Sequence, residues 1–212
     1  MIAAHTPTRW FDPSLRRAFV AALALISVVA FEPDRAIAQS AAEKSAMKTA
    51  GVLVDKAHGA LANTGLSEGQ KFSRLQSAVK RTFAFSVWEE FLLGKNAEKF
   101  SSKQRSTFRK LLPQYLAKLY MNQFGRGLRN KPEIVSAKTV RRDVLVRARI
   151  PRASGGRLPV DWRLRRVGGG YRVIDFMVGG TSFLVLKRAE FNSVIRRSGP
   201  DALNAFLQNF IA

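Results

Sequence analysis

The stretch from Leu158 to Phe191, LPVDWRLRRVGGGYRVIDFMVGGTSFLVLKRAEF, constrains this chain most. In Val160 to Arg165 the even positions are apolar and the odd ones charged. From Ile174 to Val178 the even positions are apolar again. A period of two demands a sheet with one dry face and one wet face. Gly168-Gly169-Gly170 supplies a turn where positive φ carries little penalty. Gly179-Gly180 makes a corner, after which Thr181 or Ser182 caps a helix bearing Phe183, Leu184, Phe191, Val194 and Ile195. Such a dry face cannot stay uncovered, so the rest of the chain has to supply its cover.

The first residues are a poor source of that cover. Arg16-Arg17 precede an uncharged run from Ala18 to Phe31, and Ala36-Ile37-Ala38 follows just before Gln39. A basic region, a short apolar run and an A-x-A site, in that order, form a secretory signal. The run is too short to span a bilayer comfortably. Residues 1–38 are therefore expected to be removed, leaving a single domain over 39–212 in a bacterial periplasm. The chain has no cysteine, which excludes disulfides, Cys-ligated metals and a thiol nucleophile. Without the leader, 32 Lys and Arg face 12 Asp and Glu, a net charge of about +20. That charge admits an anionic membrane, a solvated surface or, third, nucleic acid. The arginines are dispersed and lack the aromatic interleaving of a single-strand platform, so no nucleic acid is expected.

Amphipathic helices precede the sheet. Gln39–Asn63 places Met47, Ala50, Val54, Ala57 and Leu61 on one stripe. Ser67 and Gln70 form a capping box for a second helix carrying Phe72, Leu75, Val79 and Phe83. A dense apolar segment then runs from Phe85 to Leu93 and stops at Gly94. Ser101 or Ser102 caps a third helix, expected to reach Gly125–Gly127, with Pro113 predicting a kink or break. Strands are expected at Glu133–Thr139 and Asp143–Ile150, with Pro151–Pro159 a loop. With the two strands of Leu158–Val178 they make an antiparallel meander of about four. Ser198-Gly199-Pro200-Asp201 restarts the chain into a last short helix bearing Leu203, Phe206, Leu207 and Phe210. The fold class is α+β: a sheet of about four strands covered by several helices.

Little here points to catalysis. His58 is the one histidine after the leader and sits mid-helix; no GxSxG elbow accompanies it. No cluster of His, Cys or carboxylates has metal-ligand spacing. Glu89 and Glu90 diverge by about 100° on a helix and cannot face each other as an acid/base pair. Asp161 and Asp175 fall on wet strand faces among arginines, where surface pairing explains them. No enzyme, metal or cofactor is expected.

Several pieces in order carry a resemblance: Tyr171-Arg172-Val173-Ile174-Asp175, Val178-Gly179-Gly180-Thr181-Ser182-Phe183, Lys187-Arg188-Ala189-Glu190-Phe191 and Ser198-Gly199-Pro200-Asp201-Ala202-Leu203. Leu93-Gly94, Gln104-Arg105, Phe108 and Tyr115 precede them. From about Phe72 to Phe210 the chain resembles the MlaC-type (toluene-tolerance) phospholipid-binding proteins. It departs from their pattern at Ala84, where an aspartate is common, near Ala97, where a tryptophan is common, and at Tyr171, where the family has tryptophan.

The resemblance implies a non-enzymatic periplasmic carrier, expected to be monomeric. Its pocket between sheet and helices would hold phospholipid acyl chains. Its partners would be an outer-membrane lipoprotein complex and an inner-membrane ABC transporter complex. The apolar pocket is expected to be lined by Val144, Val146, Trp162, Leu164, Ile174, Phe176 and Val178 from the sheet. Leu112, Tyr115, Leu116 and Leu119 from the third helix, with Phe83 and Phe191, would complete it. Tyr115, Lys187 and Arg188 are the candidates for its mouth, and Arg188 is alternatively a structural partner of Asp175. A different lipid such as a hopanoid, or a protein-binding module, remain the alternative readings.

Overall fold

The structure, a computed structural model, describes residues 39–124, 130–152 and 155–212. The expected leader and the expected helix end at Gly125–Gly127 lie outside the described residues. Helices α1 (Ala41–Leu61), α2 (Glu68–Thr82), α3 (Phe85–Leu93) and α4 (Ser102–Phe124) come first, with a 3-10 helix at Gly94–Lys99 between the last two. Strands β1 (Glu133–Val140), β2 (Asp143–Pro151), β3 (Arg157–Val167), β4 (Gly170–Val178) and β5 (Thr181–Ser182) follow, and α5 (Phe183–Ile211) ends the chain. The sheet is an antiparallel meander in sequence order. It has five strands rather than about four. The extra one exists because Gly179 and Gly180, at φ 59° and 80°, close a two-residue turn that pairs Val178 with Thr181. Gly168 and Gly169, at φ 60° and 84°, make the same kind of turn between β3 and β4.

Two strand details depart from expectation. Val160, Trp162 and Leu164 face the core and pair with Val178, Phe176 and Val173. The register slips between Arg163 and Leu164, leaving Ile174 as an extra residue in β4. This bulge moves the inward set from even positions to odd, and it puts both Val173 and Ile174 in the core. The segment Pro151–Pro159 is strand at its two ends: Ile150 pairs with Leu158, Pro151 with Arg157 and Arg149 with Pro159. Pro159 is tolerated because β4 ends opposite Val160, so β3 is an edge beyond that point.

Ser40/Glu43 and Ser67/Gln70 form capping boxes at α1 and α2. At α4 the Ser101 hydroxyl accepts from the Gln104 amide while the Gln104 side chain accepts from the Ser101 amide. α4 runs through Pro113 as one helix, so of the expected kink or break the break is excluded. α5 is interrupted only at Gly199 (φ 78°), where Pro200 restarts it as expected. Helix α1 lies over β1, β2 and β4, while α2, α3 and α5 meet β4; α4 packs on α2 and α5 as an outer layer. The other face of the sheet carries paired charges. Arg147 binds Asp161, Arg157 binds Glu133, and Asp143 holds both Arg163 and Arg165. Burial pushes the Asp143 carboxyl up, but the two guanidinium groups outweigh it and leave it below its ordinary value.

Candidate functional site

The bulge in β4 organises the seam between sheet and helices. Val173 offers its carbonyl to two donors at the α2–α3 corner: the Ala84 amide at 3.0 Å and the Trp88 indole at 3.2 Å. Trp88, fully buried, becomes the hub of an aromatic cluster. Phe83 meets it edge-on at 5.3 Å, Phe183 lies at 5.7 Å and Phe176 at 6.3 Å, and Phe176 stacks on Phe183 at 4.4 Å. Val144, Val146, Trp162 and Leu164 cover the adjoining inner face and are at most 3% exposed. Phe176 and Val178 stay half-buried at its margin.

The expected lining residues thus divide between two places. Phe83, Val144, Val146, Trp162, Leu164, Ile174, Phe176 and Val178 belong to the seam. Leu112, Tyr115, Leu116 and Leu119 are buried on α4, in the outer layer. There Tyr115 meets Phe210 at 4.7 Å, Phe191 at 5.9 Å and Phe206 at 6.3 Å, a second aromatic cluster between α4 and α5. Helical periodicity shows which positions are apolar, but not which neighbour they meet.

Lys187 joins the two clusters. It is 6% exposed, its Nζ lies 5.5 Å from the Tyr115 ring and 5.9 Å from the Phe183 ring, and it donates to Glu190 at 2.5 Å. Burial first, and the Glu190 charge second, raise the Tyr115 phenol far above its ordinary value, so it is neutral. Arg188, one position on, points elsewhere. Its guanidinium sits 4.9 Å over the Phe91 ring and against Gly94. Asp175 is not its partner. That carboxylate accepts from the Phe176 and Leu184 amides and the Ser182 hydroxyl, fastening the start of α5, and its burial raises its pKa.

A cleft of about 530 Å3 opens between α3 and α4, lined by Phe85, Glu89, Arg105, Arg109 and Leu112 among others. Glu89 is buried and accepts from Arg105 Nε and Nη2 at 3.0 and 2.8 Å and from Arg109 Nε at 2.5 Å. Burial pushes its carboxyl up, yet the hydrogen bonds and charges of Arg109 and Arg105 hold it below the ordinary value. Sequence reasoning passed over this clamp; the signal was Arg105 and Arg109, four apart on one helix face. It also passed over the role of Trp88, which was legible only as part of the apolar run after Phe83. Among the described residues no group of three or more His, Cys, Asp or Glu could hold a metal ion.

No curated protein matches the chain. In fold it is similar to a solved phospholipid-binding protein from Ralstonia solanacearum, determined in complex with a phospholipid. The TM-score is 0.65 at 19% identity, over 79% of this chain and 97% of that one. The model of the MlaC protein family matches residues 53–209. That match spans the C-terminal part of α1, the α2–α3 corner, the clamp, the bulged sheet and nearly all of α5, and the chain belongs to the MlaC family.

Proposed function

We propose that this chain is an exported carrier that holds phospholipid acyl chains between its sheet and its helices. Residues 1–38 act as its signal peptide and the remainder works in the periplasm as a monomer. It passes lipid between an outer-membrane lipoprotein complex and an inner-membrane ABC transporter complex. It performs no catalysis. The observation that carries this reading is membership of the MlaC family over residues 53–209. The solved Ralstonia protein of similar fold holds a phospholipid, and the seam here offers the matching chemistry. Its wall is Val144, Val146, Trp162, Leu164 and Val173, without a charged side chain. Each methylene kept from water is worth about 0.8 kcal/mol, so a carrier must cover the chains throughout transfer. Seam side chains and the half-buried Phe176 and Val178 therefore move aside to admit lipid.

Native mass spectrometry tests this on protein purified without organic extraction from cells expressing the full chain. The expected result is an N-terminus at Gln39 and a mass increment of one phospholipid, replaced by labelled lipid on incubation with vesicles. A hopanoid increment would keep the carrier and change its cargo. Lipid-free protein that takes nothing from vesicles overturns the carrier and leaves a protein-binding module.

A further inference from the structure

The meander brings two hairpin tips to one end of the sheet. Val140 pairs with Asp143 across Arg141 and Arg142, and Val167 pairs with Gly170 across Gly168 and Gly169. The same end carries Lys138, Arg166 and Arg172. The first turns of α1 stand there too. The Thr139 amide donates to Glu43 at 2.8 Å, and the Thr49 hydroxyl donates to the Tyr171 carbonyl at 3.2 Å. That brings Lys44 and Lys48 to this end, both exposed.

The carboxylates nearby are already committed. Asp143 is held by Arg163 and Arg165, and Glu43 accepts from Ser40 and Thr139. Lys138, Arg141, Arg142, Arg166 and Arg172 have no ion-pair partner among the described residues. Arg141 also holds a left-handed backbone, φ 55°, where a non-glycine residue is uncommon. Between these cations Val140 is 39% exposed. Charge left unneutralised on two turn tips, with an aliphatic side chain among it, suits a flat array of phosphates above hydrocarbon. Guanidinium groups bind phosphate oxygens bidentately, and Val140 can rest at the acyl boundary. A nucleic acid would call for a groove and stacking aromatics along it.

We propose that the hairpin-tip end of the sheet docks this protein on the surface of an anionic lipid bilayer. The proposal concerns the outside of the molecule and does not rest on the carrier reading. Co-sedimentation with vesicles tests it, on the protein purified from cells expressing the full chain with its N-terminus defined by mass. Vesicles of neutral phosphatidylcholine are compared with vesicles containing phosphatidylglycerol, at low and high salt. The expected result is binding to the anionic vesicles alone, released by salt as the Debye length shrinks. Reversal at the tips, Arg141→Glu with Arg142→Glu, should lower the partition more than about tenfold. Reversal on α2, Lys80→Glu with Arg81→Glu, should leave it near the parent value.

Three outcomes overturn the proposal. One is absence of binding to anionic vesicles. Another is equal loss from the tip and α2 reversals, which would make the effect one of net charge. The third is vesicle-inert protein that still binds polyglutamate through the tips, which would assign them to an acidic macromolecule. Native mass spectrometry of the parent protein, beside its co-sedimentation, separates the two proposals. Lipid retained without docking preserves the carrier, and docking by a lipid-free protein preserves only this surface.

Discussion

At the scale of single residues, Glu89 and Gly94 can be tested independently. The Glu89 carboxyl is depressed in the folded protein, so the folded state holds its proton less tightly than the unfolded chain. Its contribution is present above the ordinary value of 4.5 and is lost as pH falls through the depressed one. Glu89→Gln should therefore destabilise the protein at pH 7, by about 1–3 kcal/mol for a buried, charge-assisted acceptor. In urea titrations the deficit relative to the parent should narrow below pH 4.5 as the parent's own carboxyl protonates. A deficit that stays constant with pH would mean that packing, not charge, is at work. Gly94 has φ 49° and ψ −132°, and a Cβ there would meet Arg188 Nη2 at 2.9 Å. The long Arg188 side chain can move aside; the backbone cannot. Gly94→Ala should cost about 1–3 kcal/mol from the backbone alone, read as a lower urea midpoint with unchanged slope.

At the scale of elements, the start of α5 depends on one hydroxyl. Ser182 Oγ accepts from the Val185 amide at 3.1 Å and donates to Asp175 at 2.6 Å, so it caps the helix and satisfies a half-buried carboxylate together. Ser182→Ala should cost about 2 kcal/mol, more than an ordinary cap, and Ser182→Thr should recover most of it by the same urea assay. The sequence allowed either Thr181 or Ser182 at this cap. The turn at Gly179-Gly180 draws both into β5, and Ser182 caps because it directly precedes Phe183, the first helical residue, a boundary that depends on tertiary context. The same limit explains the other departures. Alternation in β2 and β3 was legible because each residue reports its own face. The extra residue at Ile174 was not, because a bulge is defined by the partner strand. Pro113 does not end α4: it removes one amide but does not forbid helical φ, and buried neighbours on α4 hold the helix together. Lys187 meets the Tyr115 ring whereas Arg188 lies over Phe91, because a helix turns adjacent positions about 100° apart.

At the scale of the whole molecule, the charge is the dominant fact that the core does not explain. The full chain carries +21, yet among the described residues the ion pairs on its surface are few and open to water. Exposed pairs such as Arg147–Asp161 are worth at most about 1 kcal/mol each and weaken in salt. Repulsion among the unpartnered cations also weakens in salt, and it opposes the compact state. The two effects have opposite signs, so the salt dependence of stability shows which is larger. With charge so far from zero, repulsion should win. Raising sodium chloride from about 0.02 to 0.5 M should raise Tm by several degrees, since about 1 kcal/mol moves a domain of this size by about 2–4 °C. Calorimetry on one lipid-defined preparation checks this, and a falling Tm would place the net contribution in the ion pairs. The same salt should release the protein from anionic vesicles. A molecule that becomes more stable in salt while losing its grip on a membrane keeps its cations for an external anion rather than for its own fold.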